Sequence, residues 1–422
     1  MGDLMKNKNY LLYGMGKSNS SVKDFFLKNN ISFSEYVDGI GEYDLNNIDI
    51  IVKSPGIKFD TPLLVEANNK KIQVVSDLEL FYLFYPKAKL IVITGTNGKT
   101  STARMLSIIL SKKYKCYLGG NIGLPLFSLN SSKSFKNELV IVEASSFMLE
   151  HCKELKPFIY VITSFASHHL DYHKTIENYF NAKIKIINNL DDAGILLVPS
   201  HFKDLNLTTN KTIYFDERGT SNLVRIDQNK LKVNDKIINS FKTNQIVPKH
   251  QLVNMSIVCE IALFLEISEE RIRKGFEDVS CEKYRLQVIY NDLNTIIIND
   301  AKSTNQAASL AAIESLKDIE YDIHWILGGH GSTNDLISNT NSYVKKYYLY
   351  GENKDELEKD LQEFHNEYSK YNFLEEVIES IKNDDSKKVI LYSPAAQSYD
   401  QYDNFEQRGE HFNSLVNKYW HN

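Results

Sequence analysis

Short apolar runs that end in polar or glycine-bearing turns recur along this chain, and a helical spacing often follows them. "NYLLYG" leads into "MGKSNSS" and the helix-like "VKDFFLKN". "DIIVKSPG" repeats the arrangement, with Pro55 and Gly56 in its turn. Strands alternating with helices predict a parallel sheet with helices on both faces. These units place a first domain over residues 1–88. A second series starts at "KLIVITG", with strands at "ELVIVEASS" and "YVITSFAS" and a helix at "HQLVNMSIVCEIALFLE". "KTIYFDERG" and "LKVNDKII" look like a β-rich insertion in it, and the series predicts a domain over 89–281. A third, over 282–422, has strands at "NTIIIND", "DIHWILGG", "KKYYLYG" and "KKVILYSPAA". In such sheets ligands sit beyond the carboxyl ends of the strands, where each of these polar loops falls.

Composition narrows the class. A chain of 422 residues with a net charge of −5 has no basic footprint for nucleic acid. No apolar run nears the roughly 18 residues of a membrane span, so no membrane insertion is expected. The apolar stretch near the start is too short for a signal peptide and reads as a first strand. Four cysteines form no C-x-x-C pair, which fits reduced thiols and a cytoplasmic protein.

Two glycine loops carry candidate chemistry. "GMGKSN" has Gly14 and Gly16, but Asn19 stands where a dinucleotide fingerprint needs a third glycine. It is either a plain turn or a helix start that holds a diphosphate on backbone N–H groups. "GTNGKTST", Gly95 to Thr102, lies between a strand and a helix. It is two residues shorter than the usual G-x-x-x-x-G-K-[ST] loop, yet it keeps the working parts. Gly95 and Gly98 let the backbone approach an anion, Lys99 reaches the β- and γ-phosphates, and Thr100 can ligate Mg²⁺. Glu143 ends a strand, as a metal ligand or as a solvated carboxylate. His168 and His169 follow another strand, with a surface role as the alternative. Lys183 falls inside an apolar stripe of Ile176, Tyr179, Phe180, Ile184 and Ile187. It either snorkels from the stripe's edge or is a buried amine, which is costly unless paired or neutral. A neutral amine can take up CO₂ as a carbamate, an anionic metal ligand.

Together "GTNGKTSTARML", "GGNIGLPL", "VEASSFMLE", "HHLDYH", "ENYFNAK", "INDAKSTN" and "SPAAQSYDQYDNFEQRGEHF" resemble the Mur ligases, from about Tyr10 to Trp420. The shortened loop is the form that this superfamily shares with folylpolyglutamate synthase. "NFEQRG" resembles the branch that adds D-glutamate. The resemblance implies an α/β fold in three domains: a Rossmann-like N-terminal domain for the uridine diphosphate end, a central P-loop ATPase domain with a mostly parallel sheet, and a Rossmann-like C-terminal domain for the amino acid. It implies ATP-dependent amide bond formation between UDP-N-acetylmuramoyl-L-alanine and D-glutamate in peptidoglycan synthesis, by a monomer. It assigns catalysis to Lys99, Glu143, His169 and Lys183. One Mg²⁺ would rest on Thr100 and Glu143, and a second on His169 and a carbamylated Lys183. ATP would contact Gly95, Thr96, Asn97, Gly98, Lys99, Thr100, Ser101 and Thr102, with Asn254, Arg285 and Asp300 at base, ribose or phosphate. Ser18, Asp38, Ser54 and Gly56 would hold the uridine diphosphate. Asn121 and Ser145 would face the muramoyl-alanine end. Lys302, Thr304, Ser398 and Phe405 would form the D-glutamate pocket.

The chain also departs from the family pattern. "LGGHGS" has His330 for an acid and Ser332 for a lysine that would pair with the D-glutamate side chain, a charge-assisted bond worth about 1.5–3 kcal/mol. Tyr172, Met148 and Tyr284 replace an arginine, a glutamine and a histidine. Two rival readings stay open: a sister ligase with another amino acid or acceptor, such as folate, and a non-catalytic nucleotide-binding protein.

Overall fold

The structure, a computed structural model, describes residues 2–420 except 59, 130–134, 137, 167–168, 206, 208–210, 228–229, 239–248, 280–282, 317–320, 332–339, 341–342, 383 and 385. The chain forms two compact units, one of residues 1–239 and 250–276, the other of 240–249 and 277–422.

The first unit contains two parallel sheets. One has the order Phe33–Tyr36, Tyr10–Tyr13, Ile50–Lys53, Gln73–Val75. The other has the order Thr212–Phe215, Ile195–Pro199, Ile159–Ile162, Lys89–Thr94, Leu139–Glu143, Cys116–Gly120. Every residue of Tyr10–Tyr13, Ile50–Lys53, Leu139–Glu143 and Ile159–Ile162 is buried. That is why these strands read as unbroken apolar runs and not as alternations. Thr212–Phe215, expected in an insertion, is instead the edge strand of the larger sheet. Val224–Asp227, Lys230–Val233 and Lys236–Ile237 form a small antiparallel sheet of their own. An aromatic core runs through the unit. Phe25 packs on Phe84 and Phe127 at 5.1 and 4.9 Å between ring centres, and Phe81 lies 5.7 Å from Phe127.

The second unit has one sheet, in the order Gln287–Asn291, Thr295–Asn299, Lys388–Tyr392, Asp322–Gly328, Val344–Tyr350, Tyr368–Lys370. All neighbours are parallel except the first pair. Apolar side chains cover both faces. Among the described residues, no helix is long and apolar enough to cross a membrane.

One buried carboxylate joins distant segments of the first unit. The helix Asp77–Phe84 is capped by Ser76 Oγ, which accepts the Glu79 N–H at 3.2 Å. Glu79 itself accepts the N–H groups of Lys153, Glu154 and Leu155 at 3.0, 2.7 and 3.0 Å. Glu79→Ala leaves these three donors without their partner. A buried orphan donor costs about 1–3 kcal/mol, and only the Leu155 bond is fully buried, so the variant is expected to lose about 1–3 kcal/mol in urea unfolding followed by circular dichroism. A loss under about 1 kcal/mol would mean that water replaces the carboxylate.

Candidate active site

Residues 95–98 join the strand Lys89–Thr94 to the helix Lys99–Leu110. Gly98 is the N-cap with φ +84°, and a Cβ there would lie 2.5 Å from Asn254 Oδ1. Gly95 has φ +145°, and its Cβ would strike the Thr163 hydroxyl. Both positions demand glycine. The end of the neighbouring strand Ile159–Ile162 fixes the loop. The Thr96 N–H donates to Ser164 O at 3.0 Å, and the Asn97 N–H to Ser164 Oγ at 2.8 Å. Thr163 Oγ1 donates to Asn97 O at 2.5 Å. Thr96 Oγ1 bonds Ala166 O and the Tyr179 hydroxyl at 3.1 and 3.2 Å. The N-cap supplies no side-chain acceptor to the helix, so its first N–H groups can face an anion.

Five predicted residues, Lys99, Thr100, Asn121, Glu143 and Lys183, gather around this loop. Lys99 Nζ donates to Gly95 O and Thr96 O, both at 2.9 Å, and burial lowers its pKa against the opposing pull of Glu143. Thr100 Oγ1 donates to Glu143 Oε2 at 2.8 Å, and Asn121 Nδ2 to Glu143 Oε1 at 3.0 Å. Glu143 is buried, so hydroxyl and carboxylate form a fixed pair of hard oxygen donors, which suits Mg²⁺. Lys183 is 1% exposed, a buried amine and not a snorkelling one. Its Nζ donates to Thr94 Oγ1 at 3.1 Å and Gly95 O at 3.2 Å, and lies 4.6 Å from the Tyr179 ring centre. Burial, then the nearby Lys99 charge, brings its pKa down to about 7.

The expected stripe is narrower than the sequence spacing implied. The helix ends at Ile184, Ile187 belongs to a separate turn, and Ile176 is exposed. The face that buries Lys183 is made with Tyr179 and Ala182. His169 is exposed, with φ +54°. Its ring centre lies 4.9 Å from Phe147 and 6.3 Å from Tyr179, so Tyr179 neighbours both His169 and Lys183. His168 lies outside the described residues. Among the described residues no three His, Cys, Asp or Glu side chains cluster as a metal site.

Ser54 and Gly56 follow the strand Ile50–Lys53, and Ser18 lies in the first turn of the helix Lys17–Lys28, which follows the strand Tyr10–Tyr13. Asn19, where a third glycine was sought, is buried and useful there. Its amide donates to the carbonyls of Tyr13, Gly14 and Val52 at 3.0, 2.8 and 2.9 Å, tying two strands to the turn. Asp38 accepts the Tyr13 hydroxyl at 2.7 Å. Ser145 caps Ser146–Leu149, accepting the Met148 N–H at 3.3 Å. Met148 is buried and fills apolar space. Lys53 escaped the sequence reading because it ends an apolar run. It is buried, donates to Ile57 O at 2.7 Å and to the Tyr172 hydroxyl at 3.1 Å, and burial lowers its pKa to about 8. Tyr172 passes the link on to Glu150 Oε2 at 2.9 Å, which gives the tyrosine that replaces arginine a task. Thr163, Ser164 and Tyr179 were also missed, though "TSFAS" had marked the polar strand end.

In the second unit, a cavity of about 490 Å³ is lined by residues 304–307, 330–331 and 395–397. Thr304 lies on it, Ser398 follows it in sequence and is buried, and Lys302 Nζ lies 5.8 Å from the Phe405 ring centre. Asp300 accepts from the Leu286 N–H, Ser303 Oγ and Ser393 Oγ at 3.1, 2.5 and 2.7 Å. Arg285 is exposed. His330 bonds Glu352 at 2.5 Å, which raises its pKa. Tyr284, in place of a histidine, donates to Glu410 at 2.7 Å. Ser332 lies outside the described residues.

Residues 93–262 match the Mur ligase middle domain. The chain is 31% identical to the UDP-N-acetylmuramoylalanine--D-glutamate ligase of Natranaerobius thermophilus, over 88% of this chain and 84% of that one. It is 31% identical to the enzyme of the same name from a Hydrogenobaculum species, over 97% and 99%. Among solved structures, the MurF ligase of Thermotoga maritima in complex with ADP shares the fold, with a TM-score of 0.56 and 16% identity over 99% and 100% of the two chains.

The Lys183 environment makes a pH prediction. With a folded pKa of about 7 against 10.5 for the free amine, the unfolded chain holds the extra proton between those values. Unfolding free energy therefore rises with pH across that window, and the amine's penalty is greatest below it. Lys183→Met removes the penalty. Its gain in stability over wild type is expected to be greatest, on the order of 4 kcal/mol, below the folded pKa and to vanish near the unfolded one. Urea titrations at several pH values read this, and a pH-independent difference would refute it.

Proposed function

The chain belongs to the UDP-N-acetylmuramoylalanine--D-glutamate ligases of the Mur family, and we propose that it joins D-glutamate to UDP-N-acetylmuramoyl-L-alanine at the expense of ATP, in the cytoplasm, for peptidoglycan synthesis. The observation that carries this is the glycine loop 95–98, which leads into Lys99 and Thr100 and lies against Glu143 and Lys183. Residues 1–88 would hold the uridine diphosphate through Ser18, Ser54, Gly56 and Asp38. Residues 89–281 would bind ATP and, through Asn121 and Ser145, the muramoyl-alanine end. Residues 282–422 would receive D-glutamate at Lys302, Thr304, Ser398 and Phe405.

A carboxylate resists an amine because oxide is a poor leaving group. Transfer of the ATP γ-phosphate to the alanyl carboxylate gives an acyl phosphate. The D-glutamate amine then forms the amide bond, and phosphate departs with the C–O electron pair. The protein's task is to offset charge on the phosphoryl group. The loop N–H groups and the helix start would bind the phosphates. Lys99 would exchange its two carbonyl partners for phosphate oxygen. Asn254, against Gly98, would line the nucleotide side.

Thr100 and Glu143 would hold one Mg²⁺, and His169 with Lys183 a second; such ions screen phosphate charge. Lys183 suits its part because a large share of its amine is neutral near pH 7 and most of it above that. A neutral amine adds to CO₂, forming an N–C bond and releasing one proton, which gives an anionic carbamate. Tyr179, beside both His169 and Lys183, supports that pairing.

Phosphate release from ATP with UDP-N-acetylmuramoyl-L-alanine and Mg²⁺ tests the reaction across D-glutamate, L-glutamate, L-lysine, meso-diaminopimelate and no amino acid. Turnover with D-glutamate alone is expected. Preference for another amino acid would favour a sister ligase, a reading that the His330–Glu352 pair beside the cavity keeps in view. Lys183→Ala is expected to lose at least about a hundredfold in turnover. Short carboxylic acids should restore part of it by standing in for the carbamate. Activity equal to wild type without them would refute the carbamate.

A further inference from the structure

Arg408 is fully buried in the second unit, in the first turn of the helix Phe405–Trp420. A guanidinium stays charged at any pH the protein meets. Its hydrogen bonds go to neutral oxygens: Nη1 donates to Ala396 O at 3.0 Å and Nη2 to Ala301 O at 2.9 Å. Nη1 also lies against Gly329, 3.3 Å from where a Cβ of that residue would stand. The Tyr350 hydroxyl is a further neutral neighbour, and Nε has no partner. Asp400 shares the neighbours Tyr350 and Tyr402 and accepts the Glu352 N–H at 3.1 Å.

Three of the residues around Arg408 belong to three loops. Ala301 follows the strand Thr295–Asn299, Gly329 follows Asp322–Gly328, and Ala396 follows Lys388–Tyr392. Those strands are adjacent and parallel, so the loops leave the same edge of the sheet. The same loops line the cavity of about 490 Å³, at 304–307, 330–331 and 395–397.

Burying a cation on carbonyl oxygens costs stability, and an apolar side chain of similar length would pack more cheaply. Packing alone is a poor reason for this arginine. A planar fork with fixed donor directions does something methionine cannot: it sets the spacing of the carbonyls it bridges. Small misplacements of substrate-positioning groups have large kinetic effects.

We propose that Arg408 is the positioning residue of the amino-acid cavity, one guanidinium that bridges two strand-end loops by hydrogen bonds and packs against a third, setting the spacing that receives D-glutamate. This rests on the ligase reading above. Arg408 does not touch the substrate; it acts through the loops that carry Lys302, Thr304 and Ser398.

The test uses the full chain with ATP, UDP-N-acetylmuramoyl-L-alanine and D-glutamate. Arg408→Lys keeps the charge and loses the fork, Arg408→Met keeps the length and loses both, and Arg408→Ala leaves space for an added guanidinium. Fluorescence of Trp325, in the same unit's core, reports folding. In all three variants the KM for D-glutamate is expected to rise at least about tenfold, while the KM for ATP stays within about twofold. Methylguanidinium should lower the D-glutamate KM of Arg408→Ala toward wild type. An unchanged D-glutamate KM in folded Lys and Met variants would overturn the proposal. So would failure of all three variants to fold, which would leave Arg408 a structural role alone. Absence of wild-type turnover with D-glutamate would instead overturn the ligase reading, and this inference with it.

Discussion

A strand buried on both faces has no room for an unpartnered polar side chain, so polar chemistry is pushed to its ends. Leu139–Glu143 is apolar until Glu143, Ile50–Lys53 until Lys53, and Lys89–Thr94 until Thr94 once buried. In the larger sheet, parallel pairing then brings the ends at Glu143 and Thr94 to one edge. Ile93 stands opposite Glu143, and Thr94 opposite Ile162. The loop at 95–98 therefore lies beside residues 163–166, and the bonds that shape it come from there.

The same constraint sets the electrostatics. Lys53, Lys99 and Lys183 sit at strand ends or against them, and burial lowers the pKa of each. The Lys99 charge presses Lys183 further down. A polyanion at the loop 95–98 would relieve the cost of the desolvated Lys99 and Lys183 amines, so that edge is built for negative charge before any ligand arrives.

Much of this was legible in the sequence because the signals were local. The long apolar runs named real strands, the Gly-Lys-Thr loop lay where a strand meets a helix, and Lys183 stood out as a cation in an apolar face. The edge strands Phe33–Tyr36, Gln73–Val75 and Tyr368–Lys370 were missed because they are short and partly polar. The partners of the loop were missed for a different reason. Thr163, Ser164 and Tyr179 matter only through contacts that the chain makes across long separations. Arg408 was quoted within a motif, but nothing in its neighbours along the chain says that it would be buried beneath three loops.

The contact of Gly98 with Asn254 has a bearing on how the protein is made. The loop leaves the ribosome early, together with its own strand and helix. The helix Lys249–Phe264, which sets the wall beside Gly98, follows only after every strand of that sheet has been synthesised. A half-made chain thus carries the glycine loop without its wall. The wall beside Gly98 closes only once the chain through Asn254 has been made, when the sheet beneath it is already complete.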